Sequence, residues 1–578
     1  LIVGNVRDQR GAPLAGVRVA ALDMAGHDVG DDVTDRAGTF AIRSDGSSAT
    51  ITVACRHCAP VRIERAGRSN IAIVVRRYFA LEDSAPDAAD LAALPYGRIV
   101  DALGLIPYAL PSAGGSAISD RGLDGGHGLV LDDGAPVVDL ATGTGALVDF
   151  PDRYVRTIGV TPPSAAFAYG NDAGGGRFAL DQLDGSEGAG SLDAGAVSEI
   201  VLEPDFGTLH PSSGESSDAG ILERRADVDL ATPFAGGFLR TGLASASVSS
   251  ADNLDPARNL DLAHLSYATA SLRYLTFADL SLSGIGAATP AGSAAPSDYR
   301  SSYLSADIRV EHPGDVTFTF GLSATQQSAS YRVPQPEEYE LSGHVAQETL
   351  YAQANAGDPR ASAQAGLGLT NVTFDESSTT NPRAERLALV PSLSVRAGIG
   401  TNAYVRGGYS ESTQTPSLVD VALASPDAEA VGIDRGKLIE GALGYDAGRR
   451  ITGEAIVYRE LRAGFDTSRL DGIGASLAWQ IAPLVSLRTW TLRDDANAIT
   501  PAAPNTVPTS RQILWAGYGA DERGIRLDLI AHRDVTANHA ALGLDGDILV
   551  PLVPAYAIDL GTLQQARRTY YFGLRAMQ

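Results

Sequence analysis

Leu304-Ser-Ala-Asp-Ile-Arg-Val-Glu311 and Val316-Thr-Phe-Thr-Phe-Gly-Leu-Ser-Ala-Thr325 are the stretches whose reading decides the fold. In the first, Leu304, Ala306, Ile308 and Val310 alternate with Ser305, Asp307, Arg309 and Glu311; in the second, Val316, Phe318, Phe320, Leu322 and Ala324 alternate with Thr317, Thr319, Gly321, Ser323 and Thr325. A period of two puts the first set of each on one face of a strand and the second on the other, so one face is apolar and one wet. The same rhythm runs through Ala268, Ala270, Leu272 and Tyr274 against Thr269, Ser271 and Arg273, and again through Ile525, Leu527 and Leu529. A soluble sandwich produces such stretches singly. Their recurrence across residues 206–578 without a domain break is what a lipid-facing β-barrel wall requires.

The bulk numbers agree. A chain of 578 residues with 63 glycines exceeds one ordinary core. Its longest apolar run, Leu103 to Leu110, is interrupted by Pro107 and far too short for a membrane helix. Barrel strands carry lipid-facing residues only at every second position, so that shortfall leaves a membrane location open. A formal charge of −24 disfavours nucleic acid, whose phosphates would be repelled. No charged-then-apolar leader precedes Leu1, so the chain is either cytosolic or begins after signal cleavage, and the barrel pattern favours cleavage. Cys55 and Cys58 flank His57 in a CxxC with no second pair to complete a zinc site. A local disulfide is the leading reading in an oxidising compartment; metal or redox use and two free thiols remain open. No metal site, cofactor or catalytic constellation is legible, and the nine histidines are scattered; the expectation is that the chain is not an enzyme.

Residues 1–77 alternate short apolar stretches with turns at Gly11-Ala-Pro13, Asp23 to Gly26, Asp35 to Gly38 and Ser44-Asp-Gly46, which predicts a small antiparallel sandwich of about seven strands. Gly4-x-Val6, Gly11-x-Pro13-Leu14-x-Gly16-Val17-x-Val19 and Thr34-Asp35-x-x-Gly38-x-Phe40 resemble, in that order, the carboxypeptidase-regulatory-like domain. The resemblance implies an appended, non-catalytic module outside the cytoplasm. Residues 78–95, rich in Ala, Asp and Pro, read as a linker.

In residues 96–205, Ile99 to Pro107 has helical spacing before a proline stop and leads into the glycine-rich run Ser112 to Ser116. Then follow Ile118-Ser-Asp-Arg121-Gly-Leu123, Leu129-Val-Leu-Asp-Asp-Gly-Ala-Pro136 and Tyr169-Gly170 ahead of Gly174-Gly-Gly176. This order is similar to the plug domain of TonB-dependent outer-membrane receptors. The glycines and Asp133-Gly134 serve folding, since they permit positive φ in a compact unit. Where the family carries a charged strand, this chain has Val155-Arg-Thr-Ile-Gly-Val-Thr-Pro-Pro163. Several charges that latch plug to barrel are missing, leaving Arg121 and Arg156 as candidate plug–barrel contacts. A TonB box, the extended segment gripped by the energy transducer, has one candidate, Ile71, Ile73, Val74 and Val75, which reads equally well as the last strand of the sandwich.

Residues 206–578 are similar to the late barrel of the same family at Val390-Pro-Ser-Leu-Ser-Val395, Ala403-Tyr-Val-Arg-Gly-Gly-Tyr409, Thr415-Pro-Ser-Leu418, Leu438 to Tyr445 and the final Thr569-Tyr-Tyr-Phe-Gly-Leu574. The resemblance implies a mainly β protein: a transmembrane antiparallel barrel of about 22 strands filled by an α+β plug, with a periplasmic β-sandwich. At that count the loops are short unless a few take most of the excess. The implied function is import of a scarce solute, a small molecule or peptide, powered through a TonB-type transducer. A structural or assembly scaffold bound to other envelope proteins is the alternative. Ligand contacts are expected on apical plug loops, at Ser112, Gly114, Ser116, Asp139, Thr142 and Thr144, and outer-membrane lipid on the wall. Sequence alone does not select the solute.

Overall fold

The computed structural model describes residues 1–75 without several turns, residues 103–111, short strands between 118 and 181, and the strands of 191–576 with some of their turns. The ladders form six sheets, which fall in three stretches of the chain.

The first holds β1 (Ile2–Asp8), β2 (Arg18–Leu22), β3 (Asp28–Val33), β4 (Thr39–Ile42), β5 (Thr50–Ala54), β6 (Val61–Glu64) and β7 (Asn70–Val75) in two sheets, ordered β4-β1-β7 and β3-β2-β5-β6. Strict alternation sends Ile71, Ile73 and Val75 inward beside Ile2, Val6, Val19, Phe40, Ile42 and Ile51, one core between the sheets. The expected strand number is met, but the sandwich is not wholly antiparallel: β7 lies parallel to β1. Its motif residues have physical duties. Thr34 is fully buried; its hydroxyl donates to the Leu14 carbonyl at 2.7 Å and accepts from the Val17 amide at 2.9 Å. Gly38, at φ 69, gives its carbonyl to the Val6 amide, and a Cβ there would collide with the Val6 carbonyl.

The second body is small. Residues 103–111 run from a single helical residue, Leu103, through turns into β8 (Ala109–Pro111), which pairs with β9 (Ile118–Asp120). Residues 99–102 of the expected helix lie outside the described residues, and Gly104 to Pro107 form turns and not a helix, since glycine and proline both disfavour its continuation. β10 (Leu129–Asp132) and β11 (Ala135–Pro136) form the hairpin expected around Asp133-Gly134. β12 (Val138–Asp139) pairs with β13 (Thr144–Gly145), and β14 (Thr157–Thr161) and β15 (Arg177–Asp181) complete a four-stranded sheet in the order β11-β10-β15-β14.

The third body is one sheet of twenty strands in strict sequence order, β16 (Ser191–Leu202) to β35 (Arg568–Ala576), every neighbour antiparallel. The described strands number twenty, beside an expected count of about 22. The wall also begins at Ser191, inside the stretch that the sequence reading gives to the plug; Leu192, Ala194, Ala196, Ile200 and Leu202 of β16 alternate with Ser191, Asp193, Gly195 and Glu199, the same period of two as the later strands. The first and last strands, β16 and β35, come within 8 Å between Cα atoms.

The polarity of this sheet is inverted relative to a soluble core. Leu443, Ile473 and Phe320 are more than half exposed, whereas Gln347, Thr349, Thr370, Ser394, Arg406, Glu440, Glu460 and Asp528 are buried. Water would penalise the first group, and an apolar interior would penalise the second. Both are at ease if lipid lies outside and polar groups meet one another inside. No helix among the described residues is long and apolar enough to cross a membrane.

Candidate functional site: the inner wall and the segment docked on it

The inward face of the wall is a lattice of charged and aromatic side chains. β26 (Ala403–Gln414), β27 (Asp434–Asp446) and β28 (Ile451–Ala463) supply its centre. Arg406 donates to Glu440 Oε1 at 3.1 Å and to Glu454 Oε1 at 2.6 Å, and Tyr404 donates to Glu454 Oε2 at 2.9 Å. All three charged side chains are more than nine-tenths buried. Such a group is held together by mutual compensation, because removing one partner strands a buried charge. Further round, on β31 (Ser510–Tyr518) and β32 (Arg526–Val535), Trp515 Nε1 and Arg526 Nε each donate to Asp528 at 2.7 Å. His532 Nδ1 lies 3.2 Å from Asp545 on β33 (Ala540–Val553).

Three inward rings lie flat over a glycine directly across the ladder: Tyr404 over Gly444, Tyr458 over Gly472, and His532 over Gly543. A Cβ at any of these glycines would overlap the ring, so the glycine is what lets the ring lie against the wall.

Onto this face docks the 103–111 segment, through residues the sequence reading did not single out. Tyr108 is fully buried and holds φ 69, a left-handed conformation that is uncommon outside glycine. Its hydroxyl donates to the Glu454 carbonyl at 3.0 Å and lies 3.0 Å from Ser476 Oγ. Its ring packs on Gly474 of β29 (Arg469–Ala482), where a Cβ would stand 2.8 Å from the ring edge. Trp490 Nε1, on β30 (Val485–Asn497), donates to the Leu105 carbonyl at 3.2 Å. Pro107 just before Tyr108 was legible as a stop; the partners, more than 340 residues away in sequence, were not. On a remote arc of the wall, β11 lies against β20 (Thr276–Ala288) and β21 (Ser297–His312). The 103–111 segment and β11 thus touch strands seven or more places apart in a single sheet.

Of the ligand candidates, Asp139 and Thr144 are backbone partners in the β12–β13 ladder; Ser112, Gly114, Ser116 and Thr142 lie outside the described residues, as do Arg121, Arg156, Cys55 and Cys58. Ile71, Ile73 and Val75 are core residues of β7, with Val74 exposed between them. Use of this stretch as a coupling segment requires β7 to leave the sheet. No cluster of metal-binding side chains occurs among the described residues.

The connections sort by end. In an up-and-down sheet alternate connections share one end, and the long ones, 203–219, 415–433 and 498–509, all fall at the same end. At the other the chain turns within 235–236, 313–315, 400–402 and 483–484. This is the asymmetry of outer-membrane barrels, whose short turns face the periplasm.

A many-stranded meander with an inverted polarity and a small unit docked on its inner face defines a class: the chain has the fold of the TonB-dependent outer-membrane receptors. Among similar solved structures, the copper transporter OprC matches with a TM-score of 0.66 at 11% identity, covering 83% of this chain and 96% of that one. The siderophore receptor PirA from Acinetobacter baumannii matches with a TM-score of 0.61 at 11% identity, covering 85% and 98%. The FrpB iron transporter from Neisseria meningitidis gives 0.65 at 11%, covering 82% and 96%. No family model and no curated protein matches the sequence.

Proposed function

We propose that this chain is an outer-membrane receptor that binds a scarce solute from outside and admits it when a TonB-type motor displaces a plug from the barrel. The observation that carries this reading is the docking of Leu105 and Tyr108 on a buried polar inner wall whose outer face is apolar. In this reading β35 closes on β16, residues 96 to about 190 form the plug, 1–77 a periplasmic regulatory-like sandwich and 78–95 its linker. Ser112, Gly114, Ser116, Asp139, Thr142 and Thr144 present the solute-binding surface under the long connections. Metal chelates are the first solutes to test, because the similar structures include siderophore, iron and copper transporters. The scaffold reading retains one supporting observation: the candidate coupling segment is built into the core of β7.

One experiment separates them. Leu105→Cys with Trp490→Cys, bridged by a thiol-reactive reagent with an internal disulfide, tethers the docked segment to the wall across the gap left by the indole. Accumulation of a panel of ferric siderophores and of Cu²⁺ is then followed in cells with and without the energising motor. Uptake that disappears on bridging, returns on reduction and requires the motor supports transport. Envelope integrity that depends on the chain while all accumulation is indifferent to the motor supports the scaffold.

A further inference from the structure

The backbone ladder does not hold the wall together over its whole height. β25 (Arg383–Ile399) and β26 pair from Ile399–Ala403 up to Ser392–Ser410. Beyond that point, towards the long connections, β25 stays paired with β24 (Ala361–Glu376) and β26 with β27, but among the described residues β25 and β26 no longer pair with each other.

A proline marks where the ladder stops. In an antiparallel sheet alternate residues turn both backbone groups towards the same neighbour. The Leu389 carbonyl faces the β26 side, where Arg435 Nη2 donates to it at 3.0 Å. Pro391, two residues on, faces the same side and has no N–H to offer.

Side chains close what the backbone leaves open. Arg435 of β27 reaches past β26 to Leu389 and also donates to Glu411 on β26. Arg386 of β25 donates in the opposite direction, to the Ile433 carbonyl just ahead of β27. Beside the break, Ser392 Oγ and Thr413 Oγ1 are buried and have no hydrogen-bond partner among the described residues, a cost that a polar group entering the break would relieve. Outside, Leu387 and Leu389 are at least half exposed, and the ladder sets Leu389 in line with Leu369 and Leu350, within the apolar belt.

We propose that this break is a side port for an amphipathic solute, whose polar head stays within the barrel while its single acyl chain passes between β25 and β26 into the bilayer. The proposal rests on the barrel reading given above and narrows its solute to one with an acyl tail. Parting β25 from β26 here breaks two arginine clasps and no ladder, whereas parting β24 from β25 at the same height breaks a run of backbone hydrogen bonds. An acyl chain that stays in hydrocarbon also avoids exposing its methylenes to water in a polar interior.

The test uses the full chain in vesicles of phosphatidylethanolamine and phosphatidylglycerol. They contain a lysophosphatidylethanolamine with a photoreactive diazirine halfway along its one acyl chain, and labelled residues are located by peptide mass spectrometry. The expected label falls on Ser392 and spares Thr349 and Thr370, buried residues on strands with a continuous ladder between them. Removing both clasps in Arg386→Gln/Arg435→Gln raises the Ser392 label about tenfold. Bridging Leu389→Cys to Thr413→Cys with a short bis-maleimide, in a Cys55→Ser/Cys58→Ser background, abolishes it. Equal label on Ser392 and Thr370, or label indifferent to both the clasp variant and the bridge, overturns the port. Label on the outward residues Leu367 and Leu369 reports the underlying reading on its own. Its absence sinks the lipid-facing wall, while its presence with Ser392 bare sinks the port alone.

Discussion

The sandwich at residues 2–75 and the sheet at 191–576 are written in the same alternating rhythm and resolve it in opposite senses. In β7, Ile71, Ile73 and Val75 point into a dry core while Asn70 and Ala72 point out. In β27, Ile439 and Leu443 point out while Glu440 is buried. A period of two fixes which residues share a face but not which face is covered. That choice belongs to the surroundings: with water outside, apolar residues turn inward, and with lipid outside, a hydrated or ion-paired interior becomes the better place for charge.

The largest test of this contrast is Ile73→Ala. Its side chain is fully buried between two small sheets, so the cavity should cost about 2–5 kcal/mol and open the sandwich. Limited proteolysis of the full chain would show residues 1–77 cut while the wall stays protected. A nearly equal effect is expected on the wall, from a change that would be harmless on the sandwich. Leu443→Arg, at a position 58% exposed, should cost about 2–4 kcal/mol in urea unfolding from lipid vesicles. Val74→Arg, 64% exposed on β7, should stay within about 0.5 kcal/mol. Similar cost at the two sites would mean that both outer faces meet the same solvent. Next comes Gly38→Ala, destabilising the sandwich by at least about 1 kcal/mol, because φ 69 and the Val6 carbonyl both oppose a Cβ. Among the destabilising changes, the smallest effect belongs to Tyr108→Phe. It removes the hydroxyl between Glu454 and Ser476, worth about 0.5–1.5 kcal/mol, and should appear as faster hydrogen exchange at residues 103–111 with the wall unchanged.

The legibility of the molecule follows the same division. Local rules carried the alternating wall, the Asp133-Gly134 hairpin and the Thr34 to Phe40 motif, since each depends on neighbours a few residues away or on a repeated period. The parallel return of β7 onto β1 was missed because a turn signal reports where the chain bends and not which strand it rejoins. β16 was assigned to the plug although Leu192, Ala194, Ala196, Ile200 and Leu202 alternate with Ser191, Asp193, Gly195 and Glu199, because one strand's alternation does not say which sheet it joins. The docking of Tyr108 was invisible for a different reason. Its partners are a backbone carbonyl, a serine and a glycine of no distinctive pattern, brought together only when the wall curves. The charged candidates Arg121 and Arg156 were chosen because ion pairs leave a mark in sequence, whereas a ring fitted to a missing side chain leaves none.

That last kind of fit bears on how such a wall changes over time. Where Tyr404, Tyr458 and His532 recline on Gly444, Gly472 and Gly543, the relief of the inner face is kept low by three absent methyl groups. A change to alanine at one of them would tip its ring upright, so small substitutions in the wall can reshape that face without replacing a single charged residue or lengthening a loop.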